Sequence, residues 1–334
     1  IGDLLKARSG IYHPALGESP AMNAMRPARG SHPPGTFWYY NNWDFNALGT
    51  IFEQETGLGI FKAFSHDLAQ PLDMEDFDPN DCRYLTSKNY GTPGISNHRY
   101  YLFRMSARDL ARFGLLFLRD GRWMKRQIIP QSWIIESTSA HSRVGHRSGF
   151  GYMWWSGTRE GLFPGVRVKG HCYSAAGWGG HRLIVLPYRK LVVVHRVNTD
   201  RRYKGVSSGQ IGRLLWHILE AAREKEIGEK PILSAAKGIR LTGSKLKQTL
   251  TDCTIQTGQY TIKVPNASRM DFWFGGKRFS TAKWGVDGDK GWLKSKLITG
   301  GKKVFLSFVL DGRIIKWYDR DGTLDGKGRY SAGT

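Results

Sequence analysis

The chain has 334 residues, 40% hydrophobic and 23% charged, enough for two domains and a sizeable core. No run of eighteen apolar residues occurs, so the sequence offers no transmembrane helix. The formal charge of +22 permits attraction to nucleic acid, anionic lipid or anionic polymer, but no nucleic-acid-binding motif is present.

From Gly228 onward Lys and Arg number 20 and Asp and Glu 9; the rest of the chain holds the other 30 and 19. Each part is therefore +11, and the shorter C-terminal part is the more strongly basic. The basic residues are scattered among Asp and Gly, as on a diffusely charged surface. Cys82, Cys172 and Cys253 are odd in number and far apart, so one disulfide is possible but not implied. The ten histidines show no HExxH or CxxC companions, and no metal or other cofactor is expected.

In chain order, IGDLLKARSG reads as a short helix ended by Gly10, and residues 11–36, rich in Pro, Gly and Ser, as a long surface loop. PPGTFWYYNNWDFNALG (33–49) then sets a cluster of aromatics and asparagines at the mouth of a helix. Phe45, Leu48, Gly49 and Phe52 recur at helical spacing, and Gly57 stands where a C-terminal stop belongs. IFKAFSHDLAQP is a second helix, stopped by Pro71, and residues 73–104 look irregular. MSARDLARFGLLFLRDGRW is a clear helix. Ser106 and Asp109 form an approximate capping box, and Leu110, Phe113, Gly114 and Phe117 the buried stripe. QIIPQSWIIES is also helical.

After residue 140 the texture becomes β-rich. GFGYMWWSG, HCYSAAGWGGHRLIVLP and KLVVVHRVN read as strands, the last two joined by the PYRK turn as an antiparallel hairpin. SSGQIGRLLWHILEAAREK is an amphipathic helix expected to pack on that sheet. Residues 228–240 read as a linker. Beyond them, short segments between Gly and Asp turns predict a small antiparallel sheet or barrel over 241–334. Asp319, Asp321 and Gly322 lack the downstream glutamate of a calcium loop and read as a turn.

Three segments in order, LLKARSGI, PGTFWYYNNWDFNALGTIFEQETG and AAGWGGHRLIVLPYRKLVVV, resemble the serine hydrolases related to class C β-lactamases. That superfamily includes penicillin-binding D-Ala-D-Ala peptidases, carboxylesterases and 6-aminohexanoate-oligomer hydrolases. The resemblance covers about residues 1–225. It implies an α/β (α+β) domain over 1–227, of the β-lactamase/transpeptidase-like fold with a helical lobe and an antiparallel sheet. The small all-β domain follows it.

Tyr40-Asn41-Asn42 matches the family's Tyr-x-Asn motif, which implies that Tyr40 shuttles a proton beside a nucleophilic serine. A phenol needs a neighbouring ammonium to become a base. The resemblance implies that Asn42 bonds the substrate carbonyl or that lysine. On the residues alone, Tyr40 also reads as a packed aromatic and Asn42 as a helix N-cap. Tyr39 and Trp43 wall the pocket or pack.

Where the family carries Lys-Thr-Gly or His-x-Gly, this chain has Trp178-Gly179-Gly180. The glycines let a substrate lie against the strand, and the backbone N–H of His181 is the expected oxyanion donor. The absent cation points away from anionic β-lactams and towards an ester or amide of a less charged substrate.

The family also needs Ser-x-x-Lys before Tyr-x-Asn, and nothing in residues 1–39 fits. Ser234-Lys237, Ser244-Lys247 and Ser280-Lys283 read as chance matches. The expectation is a bacterial serine hydrolase whose nucleophile lies upstream of this chain. The alternative is a catalytically silent envelope- or glycan-binding protein on the same fold. The resemblance alone implies a periplasmic or extracellular location. The basic C-terminal domain suggests an anionic envelope polymer as a partner.

Overall fold

Asn41 starts the helix Asn42–Thr56: its side chain accepts a hydrogen bond from the Asp44 N–H, and Gly57 ends the helix in the left-handed region at φ 69°. The helix Ala107–Leu118 is capped by Ser106, whose hydroxyl accepts from the Asp109 N–H. The computed structural model describes residues 1–89, 94–144, 148–157, 162–199, 205–222 and 231–333. The chain divides into two compact units. One comprises Ile1–Ser142, Gly149–Gly157 and Gly170–Arg202; the other comprises Arg143–Ser148, Thr158–Lys169 and Tyr203–Thr334.

The first unit is built on a six-stranded sheet. Its spatial order is Leu191–His195, His181–Leu186, Cys172–Gly177, Trp155–Gly157, Ser148–Phe150 and Ser142–Arg143. The first four strands pair antiparallel. The predicted hairpin is present: Leu191 faces Leu186 across a Pro187–Arg189 turn, and Lys190 takes φ 51°. The helix Ala107–Leu118 packs on this sheet, where Phe117 joins Ile134, Trp154, Tyr173, Leu183 and Val185. Gly114 makes the close approach possible, because a Cβ there would lie 2.6 Å from Leu183 and 2.7 Å from Val192.

Three local expectations are corrected. Residues 11–36 are not wholly a surface loop: Tyr12, Ala15 and Leu16 are buried, and Pro20–Met25 is a helix capped by Ser19. The irregular stretch 73–104 contains a short hairpin, Arg83–Leu85 with Tyr100–Leu102. Asp109 does not return a bond to the Ser106 N–H as a capping box would. Its carboxylate accepts from the N–H groups of Glu75 and Asp76, at 3.0 Å each, and so ties that loop to the helix.

In the second unit, eight consecutive strands from Cys253–Thr257 to Leu324–Ala332 form an up-and-down meander that closes on itself. Cys253–Thr257 pairs with Leu324–Ala332, and Val304–Asp311 pairs with Ile314–Tyr318. Closure removes the free edges that an open sheet would present. The interior is filled by Ile255, Val264, Trp284, Phe308 and Ile315. Leu246 and Leu250 join them from the helix Gly243–Leu250, which the sequence pattern did not announce.

The predicted linker is partly structured. Residues 223–230 lie outside the described residues, but the Leu233 N–H donates to the Gly322 carbonyl, and Ile239–Leu241 pairs with Phe308–Leu310. The helix Ser208–Ala221 was expected on the hydrolase sheet. It belongs to this second unit and lies along the last strand, with Gly209 against the Leu324 carbonyl and Arg213 donating to Thr323 at 3.2 Å. Asp319 accepts from the N–H groups of Asp321 and Thr323, forming the predicted turn.

The Asp109 clamp is testable. Asp109→Ala leaves two backbone N–H groups without their acceptor and should lower stability by about 2–4 kcal/mol in urea denaturation. Asp109→Asn keeps one acceptor and should cost less. Equal stabilities for wild type and Asp109→Ala would refute the clamp.

Candidate active site

The residues before the helix Asn42–Thr56 are held by a buried polar network. The Tyr39 N–H donates to the Ala7 carbonyl at 3.0 Å, and the Asn41 amide donates to the Tyr39 carbonyl at 2.8 Å. The Ser9 hydroxyl donates to Asp44 at 2.5 Å, and the Ser9 N–H donates to the other carboxylate oxygen at 3.4 Å. Tyr39 and Tyr40 then point differently. Tyr39 is 1% exposed and its hydroxyl donates to the Met22 carbonyl at 2.6 Å. Of the two readings offered for it, wall or packing, Tyr39 takes the second: it is a core residue and not a substrate-binding wall.

Tyr40 is half-buried in an aromatic nest. Its ring stacks on Trp155 at 5.5 Å and meets Phe45 and Phe150 edge-on at 5.2 and 5.8 Å. Burial pushes its phenol above the ordinary pKa and nearby Tyr100 adds to this, while the Arg182 guanidinium pulls it down. Tyr40 also favours the charged form of Arg182, against the burial that opposes it. The Tyr-x-Asn segment and the strand after Gly179-Gly180 thus come within electrostatic reach of each other. The cation whose charge acts on Tyr40 is Arg182, the residue after the predicted oxyanion donor, and sequence reasoning missed it. Alternation along the strand from His181 was the available signal. The raised pKa keeps Tyr40 a protonated phenol at neutral pH, where a base would need it lowered.

Asn42 is the first residue of the helix, not its cap; the cap is Asn41. Its amide reaches the Leu16 carbonyl at 3.4 Å, and it lies beside Gly17, which Tyr100 also approaches. Trp43 is half-buried between His13 and His98, at ring separations of 5.6 and 4.9 Å.

Trp178, Gly179 and Gly180 form a single turn between the two strands. Trp178 is 73% exposed, and the glycines take φ 82° and 103°, a backbone region that disfavours other residues. Two histidines brace this turn. The Val197 N–H donates to His181 Nδ1 at 3.1 Å, and His195 Nδ1 bonds the Gly180 carbonyl at 2.9 Å. Burial, with Arg196, His195 and Arg182 nearby, lowers the His181 pKa and favours a neutral ring. The His181 side chain is therefore half-buried and engaged by the Val197 N–H.

The three Ser-x-x-Lys matches do not build a nucleophile. Ser280 is buried with its hydroxyl 3.0 Å from Ser295, while Lys283, three residues along the same strand, lies on the opposite face. Ser244 and Lys247 share the helix Gly243–Leu250, but both are exposed on the barrel unit. Ser234 lies within the single turn Leu233–Ala235, and Lys237 lies beyond its end. All three cysteines are buried and none is in a disulfide. Among the described residues no group of three His, Cys, Asp or Glu is placed to hold a metal ion, and no helix is long and apolar enough to cross a membrane.

The tyrosine before a capped helix and the Gly-Gly strand entry, on a helix-covered antiparallel sheet, are the elements on which the sequence resembles the β-lactamase and penicillin-binding-protein-like serine hydrolases. A model of the Beta-lactamase family matches residues 1–211, and the chain belongs to that family. A Bacillus anthracis protein described as a 6-aminohexanoate-dimer hydrolase is similar in structure, with TM-score 0.48 and 18% identity; the match covers 67% of this chain and 62% of that one. SurE, crystallised with D-Leu, is similar with TM-score 0.45 and 17% identity over 97% of this chain and 77% of its own. A penicillin-binding protein homolog from Caulobacter crescentus matches with TM-score 0.42 and 16% identity, covering 59% of this chain and 64% of that one. This chain thus spans less than two thirds of the length of the Bacillus protein. A search of curated proteins returns no match.

Asp44 gives the site's frame a pH signature. Burial raises its carboxyl from 3.8 to about 6 against the lowering effect of Ser9 and Asn41. The folded state therefore holds this proton longer than the unfolded chain. Stability should be greatest below pH 4 for this group and fall by about 3 kcal/mol as pH rises to about 6. Urea denaturation of wild type and Asp44→Asn across that window checks it, since the variant should lose this part of the slope. Parallel pH profiles would exclude Asp44 as its source.

Proposed function

We propose that this chain is the Tyr-x-Asn and Gly-Gly-strand part of a serine hydrolase that acts by acyl transfer on an ester or amide. What supports this reading is that the Tyr40 ring stacks on Trp155, whose strand pairs with Cys172–Gly177 leading into the Gly179-Gly180 turn, with the Arg182 charge acting on the Tyr40 phenol. The nucleophilic serine and its lysine would come from residues preceding this sequence.

In the proposed cycle the serine attacks the substrate carbonyl, and its proton passes to Tyr40 and then to the leaving group. Water later cleaves the acyl-serine ester. The phenol is raised as it stands, so a lysine ammonium must join Arg182 in lowering it before Tyr40 can accept a proton. Asn42 would orient the substrate carbonyl, and the His181 N–H would donate to the oxyanion. Trp178, exposed at the rim, would cover an uncharged part of the substrate. With tryptophan where the family carries Lys or His, the proposed substrate lacks the carboxylate that such a cation binds. An exported, periplasmic or extracellular setting is part of the same proposal.

The test uses the full-length gene product and a fluorophosphonate probe. A serine upstream of this sequence should be labelled, and Tyr40→Phe should slow labelling by about 100-fold or more. Absence of labelling on folded full-length protein would instead favour a silent binding protein on a hydrolase fold.

A further inference from the structure

The outer face of the barrel carries an arrangement of charge that its own packing does not explain. Along Lys277–Asp287, Ser280, Ala282 and Trp284 point inward, so Thr281, Lys283 and Gly285 point out. Lys283 lies directly opposite Arg269 on one neighbouring strand and Lys294 on the other. All three are exposed. Adjacent strands are about 4.8 Å apart, so three cations stand in one cross-strand row. Like charges directly opposite one another weaken a sheet.

The only relief nearby among the described residues is Asp271, and it is already taken. It accepts from Arg269 Nε at 3.0 Å and from the Thr281 hydroxyl at 2.8 Å, with Arg278 at 3.8 Å. Lys283 and Lys294 have no ion-pair partner among the described residues. Two tryptophans on the strands of this face, Trp273 four residues along the strand from Arg269 and Trp292 two residues from Lys294, each carry a lysine. Lys263 lies over Trp273 at 4.9 Å and Lys303 over Trp292 at 4.3 Å. Gly285 leaves the space across which the Trp292 indole lies.

We propose that this face, centred on Lys283 and Lys294 and flanked by Lys263 and Lys303, docks a polyanionic polysaccharide with carboxylates repeated along its chain. Two features select that occupant. The indole faces are covered by ammonium groups, so they offer no free platform for stacking the bases of single-stranded nucleic acid. The guanidinium forks of Arg269 and Arg278, suited to bidentate phosphate recognition, turn to Asp271, and the groups left over are lysines. Lysine ammonium groups are rotatable point charges, and a chain of spaced carboxylates can neutralise successive positions of the row. Bound sugar carboxylates would remove the repulsion that the bare row carries.

The test measures binding of the full chain to polygalacturonate, with neutral dextran and an oligo-dT strand as comparison ligands. Polygalacturonate should bind, with affinity falling about tenfold or more between 50 and 200 mM salt as the charges are screened. Lys283→Gln with Lys294→Gln should weaken binding about tenfold. Lys62→Gln with Lys125→Gln, which removes equal charge from exposed positions in the first unit, should leave it unchanged. Melting temperatures should show the barrel variant at least as stable as wild type. Equal losses in both double variants would mean net charge alone drives binding and would overturn the proposal. So would tighter binding of oligo-dT, equal binding of dextran, or no binding of polygalacturonate at low salt.

Discussion

The buried bond from Ser9 to Asp44 holds the first unit's candidate site together. Asp44 sits in the first turn of its helix, where a carboxylate is favoured by the helix dipole but penalised by burial. Ser9 meets that cost with two donors, one from its hydroxyl and one from its backbone. Asn41 completes the arrangement by capping the same helix and returning its amide to the Tyr39 carbonyl. The segment Ala7–Ser9 is thereby fixed against the helix mouth. The chain between them has one way to run, with Tyr39 into the core and Tyr40 towards the aromatic nest. Two adjacent tyrosines of similar composition acquire different chemistry from a network that touches neither phenol.

The surroundings of Tyr40 set what that phenol can do. Trp155, Phe45 and Phe150 remove water from its ring, which disfavours the phenolate. Arg182 opposes this but does not overcome it. A guanidinium stays charged throughout a catalytic cycle, so it can stabilise a phenolate but cannot take or return a proton. A lysine can do both. In the proposed cycle a second, titratable cation would therefore have to complete the lowering of the phenol that Arg182 begins.

Much of this was legible in the sequence, for reasons that can be named. The helices Asn42–Thr56 and Ala107–Leu118 were visible because their caps and glycine stops are local chemistry. Most strands of both units were visible from their turns and β-rich runs, but the short strands Arg83–Leu85, Tyr100–Leu102 and Ile239–Leu241 were not. The Gly-Gly-His turn was visible as a motif, and its positive-φ glycines suit the role assigned to it. What escaped depended on contacts distant in sequence. Nothing around Tyr39 distinguishes it from Tyr40 until Met22 arrives as an acceptor. Asp109 reads as a capping-box member until the N–H groups of Glu75 and Asp76 claim its carboxylate. The helix Ser208–Ala221 has an apolar stripe fit for any sheet, and the close approach of Gly209 to Leu324 with the Arg213–Thr323 hydrogen bond assigns it to the barrel. Arg182 went unnoticed because its significance lies in a residue 142 positions away.

The barrel shows a different relation between charge and stability. Its core is closed and apolar, and its meander leaves no edge to satisfy, so the fold does not need its outer face to contribute. Surface positions of that kind are free to carry unfavourable pairings at small cost in water, where screening weakens them. An apolar interior that tolerates a repulsive exterior separates the requirement to fold from the requirement to bind. The Arg269–Lys283–Lys294 row weakens the sheet only slightly, and its two lysines, Lys283 and Lys294, unpaired among the described residues, would act together on an anionic chain laid across them. The excess positive charge of the C-terminal part thus has a place on the fold where it is concentrated by strand register, and not only by composition.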